Sequence, residues 1–174
     1  MATHIDVLCG LYKNVVDGNN RAIAADCKYL AREGANNFYS LYRCHDFHFK
    51  LYGAMLLGQL QPALEAADEM IASLPEELLR IQSPPMADWL EGFVSMKMHV
   101  LIRFGRWSDI IATPLPADRD LFCVTTAMIR YAKAVALAST GNVAAAEEEA
   151  RAFDAAFAKV PVHATCSTIH AWTS

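Results

Sequence analysis

The chain has 174 residues and a net charge of −4, with 54% of its residues hydrophobic and 20% charged. This composition argues against intrinsic disorder, and the lack of any run of five or more Lys or Arg disfavours nucleic acid as a partner. No uncharged apolar run reaches the roughly 18 residues of a membrane-spanning helix, and no secretory leader is visible. The five cysteines include no CxxC pair, so we expect reduced thiols in a cytoplasmic protein without a membrane partner.

The predicted elements are helices joined in pairs by a recurring turn. Residues 10–15, 58–63, 105–110 and 141–146 share the pattern Gly-x-hydrophobic-hydrophilic-x-small, and their glycines are 48, 47 and 36 residues apart. Periodicity in this range is typical of repeat proteins. In chain order, the helical spacing of apolar residues predicts about seven or eight helices. They form hairpins over about 3–32, 38–74, 86–112 and 119–160.

Prolines and helix lengths agree with these boundaries. The first helix of the third hairpin is predicted to run from about Met86 to Phe104, and Pro114 is expected to cut its partner helix short. Pro161 marks the end of the array, so residues 1–161 are predicted to form one helical-repeat domain, with a tail over 162–174. No segment alternates with a period of two, and the agreement of these signals predicts an all-α fold.

At its turns the chain resembles the tetratricopeptide repeats. That family places an aromatic residue two positions after the turn glycine and an alanine five positions after it, and Gly58, Leu60 and Ala63 occupy those positions here. The resemblance implies two antiparallel helices per repeat of roughly 34 residues, stacked into a right-handed α-solenoid. The family's first-helix tryptophan is absent from every repeat here, and two of the glycine spacings exceed the usual repeat length.

A closer resemblance covers most of the chain. The strings at 4–5, 20–26, 29–30 and 45–49 are similar to an uncharacterised group of tetratricopeptide-like proteins with a His-Asn-x-His-Phe motif, in which Asp46 here replaces the Asn. Members of that group are usually much longer, which implies that this chain is a portion of such a protein or a short paralogue. An array without upstream helices would leave an apolar end for a second copy of the chain to cover as a homodimer.

The tetratricopeptide register also implies a concave groove lined by the first helix of each hairpin. Counting back from the turn glycines places six side chains on that groove: His4, His45, His48, Tyr52, His99 and Arg103. We therefore interpret the chain as an interaction module that binds a peptide or partner protein in the groove. The resemblance brings no established reaction, and neither a GxSxG nor an HExxH motif is present, so binding is favoured over catalysis.

The histidines leave a second interpretation open. His45 and His48 share one helix face, and two imidazoles with a carboxylate suit zinc or another divalent ion and a hydrolytic role. The candidates for a third ligand are His4, Asp46, Asp88 and Glu91. The plainer alternative is a chain without a cofactor, whose histidines are partly buried against aromatic side chains that we expect in the core. Those aromatic residues are Phe38, Tyr39, Tyr42, Phe47, Phe49 and Tyr52.

Overall fold

The structure, a computed structural model, describes residues 2–34, 36–37 and 39–161. Apart from one isolated bridge, the regular secondary structure of these residues is helical, which confirms the all-α prediction. The helices are α1 (Ala2–Leu8), α2 (Tyr12–Glu33), α3 (Ser40–Leu56), α4 (Leu60–Ala72), α5 (Glu76–Leu79), α6 (Met86–Val94), α7 (Met96–Arg103), α8 (Trp107–Ala112), α9 (Cys123–Ser139) and α10 (Val143–Phe157). The chain divides into two compact units, Met1–Leu78 (unit 1) and Leu79–Ser174 (unit 2).

All four predicted glycine turns have the same backbone structure. The turn glycines have φ values of 71°, 71°, 64° and 82° along the chain, a region that L side chains rarely adopt. Each glycine N–H donates to the carbonyl three residues back at 3.0–3.2 Å, and the following N–H donates to the carbonyl five residues back at 2.8–2.9 Å. This pair of bonds is the Schellman ending of a helix. The residue five positions after each glycine is buried: Val15, Ala63, Ile110 and Ala146.

Unit 1 is a run of helices that each pack against the next: α1 on α2, α2 on α3 and α3 on α4. Its core combines large side chains such as Leu51 and Met70 with small alanines, all fully buried. Gly53 lets α3 approach α2 closely, because a Cβ at that position would lie 3.1 Å from methyl groups of both Val15 and Val16. The close spacing of α2 and α3 fixes the two helices that carry most of the candidate site.

A buried arginine lies at the end of α4. Arg43 of α3 is 1% exposed, and its Nη2 donates to the carbonyl oxygen of Ser73 at 2.5 Å. Its Nε and Nη1 have no hydrogen-bond partner among the described residues. The guanidinium therefore stabilises the negative end of the α4 dipole while it remains largely desolvated.

In unit 2, α9 is the central helix, and α6, α7, α8 and α10 all contact it. Glu91 of α6 caps its first turn: Oε1 accepts from the backbone N–H of Thr125 at 2.7 Å, and Oε2 accepts from that of Val124 at 3.1 Å. Burial raises the pKa of Glu91, and the hydrogen bonds from Thr125 and Val124 oppose that effect. A carboxylate at this position satisfies free N–H groups at the positive end of the helix.

The third hairpin differs from its prediction in one helix. The segment from Met86 to Phe104 is split at Ser95 into α6 and α7, and Ser95 Oγ donates to the carbonyl oxygen of Gly92 at 2.7 Å. A serine hydroxyl that donates to a helical carbonyl oxygen competes with the backbone N–H that would otherwise donate to that oxygen. The partner helix α8 ends before Pro114, as predicted.

The expectations of a single domain, a solenoid, a C-terminal tail and a homodimer stay predictions. The single domain over 1–161 and its solenoid arrangement concern how the two units combine, and the tail over 162–174 lies outside the described residues. The homodimer also stays a prediction, although α1 presents Ile5 and Leu8 as exposed apolar side chains. In the part of the chain that the structure describes, no helix has both the length and the apolar character needed to cross a membrane.

Candidate ligand-binding pocket on unit 1

The structure brings two of the predicted groove histidines into contact. His4 of α1 and His45 of α3 lie with their Nε2 atoms 3.2 Å apart, and their rings stack with centroids at 5.2 Å. Phe49, one turn further along α3, packs on both rings at centroid distances of 4.3 Å and 4.5 Å. Because one imidazole nitrogen must donate while the other accepts, at least one of the two rings is neutral.

The other predicted groove residues are distributed over both units. His48 and Tyr52 also belong to α3, and the Phe49 ring meets the His48 ring edge-on at 6.3 Å. His99 and Arg103 belong to α7 of unit 2, and burial lowers the pKa of His99. A single groove lined by all six residues therefore stays a prediction, whereas the contact between His4 and His45 is a feature of unit 1 alone.

An open pocket of about 390 Å³ lies beside this histidine pair, lined by His4, Tyr39, Tyr42, His45 and Asp46. Tyr42 is 58% exposed, so the expectation of a core position was wrong for this residue. The Tyr39 ring lies next to it at a centroid distance of 5.7 Å. Phe38, from the same predicted aromatic set, lies outside the described residues.

Two carboxyl groups meet behind the tyrosines. Asp26 of α2 is 3% exposed, and its Oδ1 accepts a 2.7 Å hydrogen bond from the Tyr39 hydroxyl. Its Oδ2 receives no donor from the described residues when both carboxyls are ionised. The Asp46 carboxyl lies within hydrogen-bonding contact of Asp26, so a proton on Asp46 would satisfy the buried oxygen.

This arrangement shifts the ionisation of its members. Burial, then the charge of Asp26 and the hydrogen bond to it, raise the pKa of Asp46 to about 6. The hydrogen bond to Asp26, with burial, raises the pKa of Tyr39 to about 12, so its hydroxyl remains a donor. Burial, followed by the charge of nearby His4, lowers the pKa of His45. At neutral pH the pocket therefore has an ionised Asp46 carboxylate beside an uncharged His45 imidazole.

The pairing of Asp26 with Asp46 was not predicted from the sequence. Asp26 follows Val15, Asn19 and Ile23 at helical spacing on α2, so a signal was present: an acidic residue on an otherwise buried helix face. Nothing in the sequence indicated that Asp46 of α3 would meet it.

No metal-binding cluster is formed by the residues that the structure describes: none of their His, Cys, Asp and Glu side chains form a group of three or more suited to an ion. Of the proposed third ligands, Glu91 is engaged at the start of α9 in unit 2, and Asp88 also belongs to that unit. Asp46 and His4 line the pocket with His45. The metal site on His45 and His48 stays a prediction.

Comparison with known proteins gives no neighbour, since no family model, curated protein or solved structure matches this chain. The tetratricopeptide resemblance therefore depends on the turn pattern and the short sequence strings described above, and the function must be argued from the site.

Proposed function

We propose that this chain is an interaction module of the tetratricopeptide-like kind, which binds a peptide or partner protein and anchors it in the unit 1 pocket. One observation carries the proposal: an exposed tyrosine, Tyr42, stands at the rim of a concave pocket with further aromatic and polar side chains behind it. Tyrosine in such a setting is typical of residues that dominate protein interfaces. In the tetratricopeptide register, the α3 helix that carries Tyr42 is a groove-facing helix.

The pocket also has the polar groups that give a binding site its specificity. His4 and His45 offer imidazole nitrogens, and Asp46 offers a carboxylate, all within one recess. Ligand sites commonly combine apolar walls with a few such directed groups. His48 and Tyr52 of α3 remain proposed binding residues of unit 1 beyond this anchor, and His99 and Arg103 of α7 remain proposed binding residues of unit 2.

A selection from a random peptide display library tests the proposal. Enriched peptides should bind the wild type and lose at least tenfold in affinity on Tyr42→Ala, because the exposed wall of the pocket is removed. The matched control is Tyr131→Ala in unit 2, where the tyrosine is also exposed. A His48→Ala/Arg103→Ala double variant reports on the extended surface. Failure to enrich any peptide, or equal binding to both tyrosine variants, would contradict the proposal.

A divalent metal ion at the histidines is the second candidate. The 3.2 Å separation of the His4 and His45 Nε2 atoms is close to the edge of about 3.3 Å between two nitrogens that bind one tetrahedral zinc at about 2.0–2.1 Å. This spacing favours His4 with His45 as a ligand pair, whereas the sequence suggested His45 with His48. Such a site, open to water on one side, would supply a Lewis acid for hydrolysis.

Zinc titration with thermal unfolding separates this candidate from the first. Zinc that binds only the folded chain should raise the Tm of the wild type, and His45→Ala should abolish that rise. His99→Ala serves as the control, because His99 lies in the other unit. A Tm that zinc leaves unchanged, together with substoichiometric metal in protein purified without a tag, would rule against the metal.

A further inference from the structure

We propose that the unit 1 pocket binds a cationic side chain of the partner, a lysine ammonium or arginine guanidinium, between its tyrosine rings and its paired carboxylates. This inference depends on the proposed function and names the chemistry of the residue that anchors the partner. It follows from the charge, the walls and the shape of the pocket.

Asp46 lines the pocket, and the positive charge that acts on its pKa is that of the chain's amino terminus, not that of a lysine or arginine side chain. Asp26 is almost fully buried and leaves Oδ2 without a donor, and Asp46 lies against it. None of the ion pairs formed by lysines and arginines of the described ranges involves either carboxyl. A buried carboxylate normally has a charged partner or several donors. Asp26 itself does not line the pocket, but its neighbours Tyr39 and Asp46 do, so a cation in the recess would lie next to Asp46 and offset the negative charge of the carboxyl pair.

The walls of the pocket suit a cation as well. The rings of Tyr39 and Tyr42 lie 5.7 Å apart, and Tyr29 packs behind Tyr39 at 4.5 Å. Tyrosine faces attract ammonium and guanidinium groups within about 6 Å of the ring centroid. A long basic side chain would cover the exposed Tyr42 ring with its aliphatic stem and place its charge toward the carboxylates.

The His45 imidazole does not oppose this charge at neutral pH. Burial and the proximity of His4 lower the pKa of His45, which keeps that imidazole uncharged and able to accept a hydrogen bond. The recess of about 390 Å³ is open to solvent, so it admits the end of a side chain without displacing core residues.

Blocked tripeptides provide the probe. Acetylated and amidated peptides with a central lysine, arginine or methionine are titrated at neutral pH, in the presence of EDTA, and followed by NMR chemical shifts. We expect the lysine and arginine peptides to shift pocket signals and to bind at least tenfold more tightly than the methionine peptide, which has similar length and no charge. Asp46→Asn should reduce the affinity for both basic peptides at least tenfold and leave the methionine peptide unchanged.

The matched control is Asp17→Asn, which removes the same charge from an exposed position of unit 1 that does not line the pocket. It should retain the preference for basic peptides, and circular dichroism confirms that each variant is folded. Tyr42→Ala provides a second variant, since loss of the exposed ring should weaken the basic peptides in the same way. Equal binding of all three peptides, or equal affinity in the wild type and Asp46→Asn, would overturn the inference.

Failure of this inference is distinguishable from failure of the proposed function. Display-selected peptides that depend on Tyr42 but show no enrichment of lysine or arginine would overturn the cationic anchor and support the interaction module. Basic tripeptides that bind the pocket, with no longer peptide ever enriched, would support the anchor chemistry and contradict the module. Pocket signals that move only with zinc, and with no tripeptide, would overturn the inference in favour of a metal site.

Discussion

Replacing Asp46 with asparagine should stabilise the protein at neutral pH and leave it unchanged in acid. The amide of Asp46→Asn can donate to Asp26 permanently, as the protonated carboxyl does, and it removes a negative charge from beside a buried carboxylate. In the wild type burial, and then the charge of Asp26 and the hydrogen bond to it, raise the pKa of Asp46 from 3.8 to about 6. The unfolded chain therefore releases this proton at a lower pH than the folded chain does.

The sign of the effect follows from proton linkage. Below about pH 4 the carboxyl is protonated in both states, so its contribution to stability is the same as that of an amide. As the pH rises from about 4 to 6, the folded state retains a proton that the unfolded state has lost, so the stability of the wild type falls. A pKa difference of this size corresponds to at most about 3 kcal/mol. Because Asp46 remains partly in contact with water, solvent screening should reduce the effect to about 1–2 kcal/mol.

Urea unfolding of both proteins, followed by far-ultraviolet circular dichroism at several pH values between about 4 and 8, measures the difference. The stability advantage of Asp46→Asn should be near zero at the acid end, increase through about pH 5 and 6, and remain constant above about 7. Asp17→Asn should show no such gain, since Asp17 loses an exposed pairing with Lys13. A difference that stays the same at every pH, or a variant less stable than the wild type at pH 8, would refute the reasoning.

Three further outcomes test the packing. Gly53→Ala should lower stability by about 1–2 kcal/mol in thermal unfolding, because the new methyl meets Val15 across a close helix contact. Glu91→Gln should lower it by about 1–3 kcal/mol in urea unfolding followed by tryptophan fluorescence, because an amide leaves an N–H at the start of α9 without an acceptor. Burial raises the pKa of the Cys44 thiol to about 12, so this thiol should stay unmodified by iodoacetamide in the native protein while the exposed thiols of unit 1 react. A Gly53→Ala variant as stable as the wild type would contradict the close contact of α2 and α3. A Glu91→Gln variant of unchanged stability would contradict the capping role of Glu91, and rapid labelling of Cys44 would contradict its burial.

The helices and their turns were predictable because the signals are local. A glycine with positive φ and a buried residue five positions later belong to one short segment, and the pattern that predicted the turn at Gly58 includes Ala63, which the structure shows to be buried. The break at Ser95 was not predictable from periodicity, because apolar residues continue on both sides of it. It depends instead on the hydrogen bond that the Ser95 hydroxyl donates to the carbonyl oxygen of Gly92.

The candidate site was only partly predictable. Helical register placed His4 and His45 on one predicted surface, and they do meet in unit 1. The pairing of Asp26 with Asp46 joins residues of two helices, and its energetic consequence depends on burial, which a sequence pattern indicates only weakly. An asparagine at position 46 would donate to the same buried oxygen at every pH, whereas the Asp46 carboxyl donates only when it is protonated.

The packing of each helix of unit 1 against its neighbour in the chain has a consequence for how this unit acquires its structure. Contacts between adjacent helices close only short loops, and short loops lose little chain entropy when they form. Proteins dominated by such contacts fold in microseconds to milliseconds. Each hairpin of unit 1 can therefore form soon after its second helix leaves the ribosome, and the pocket is complete once α3 has packed on α1 and α2, before unit 2 has been synthesised.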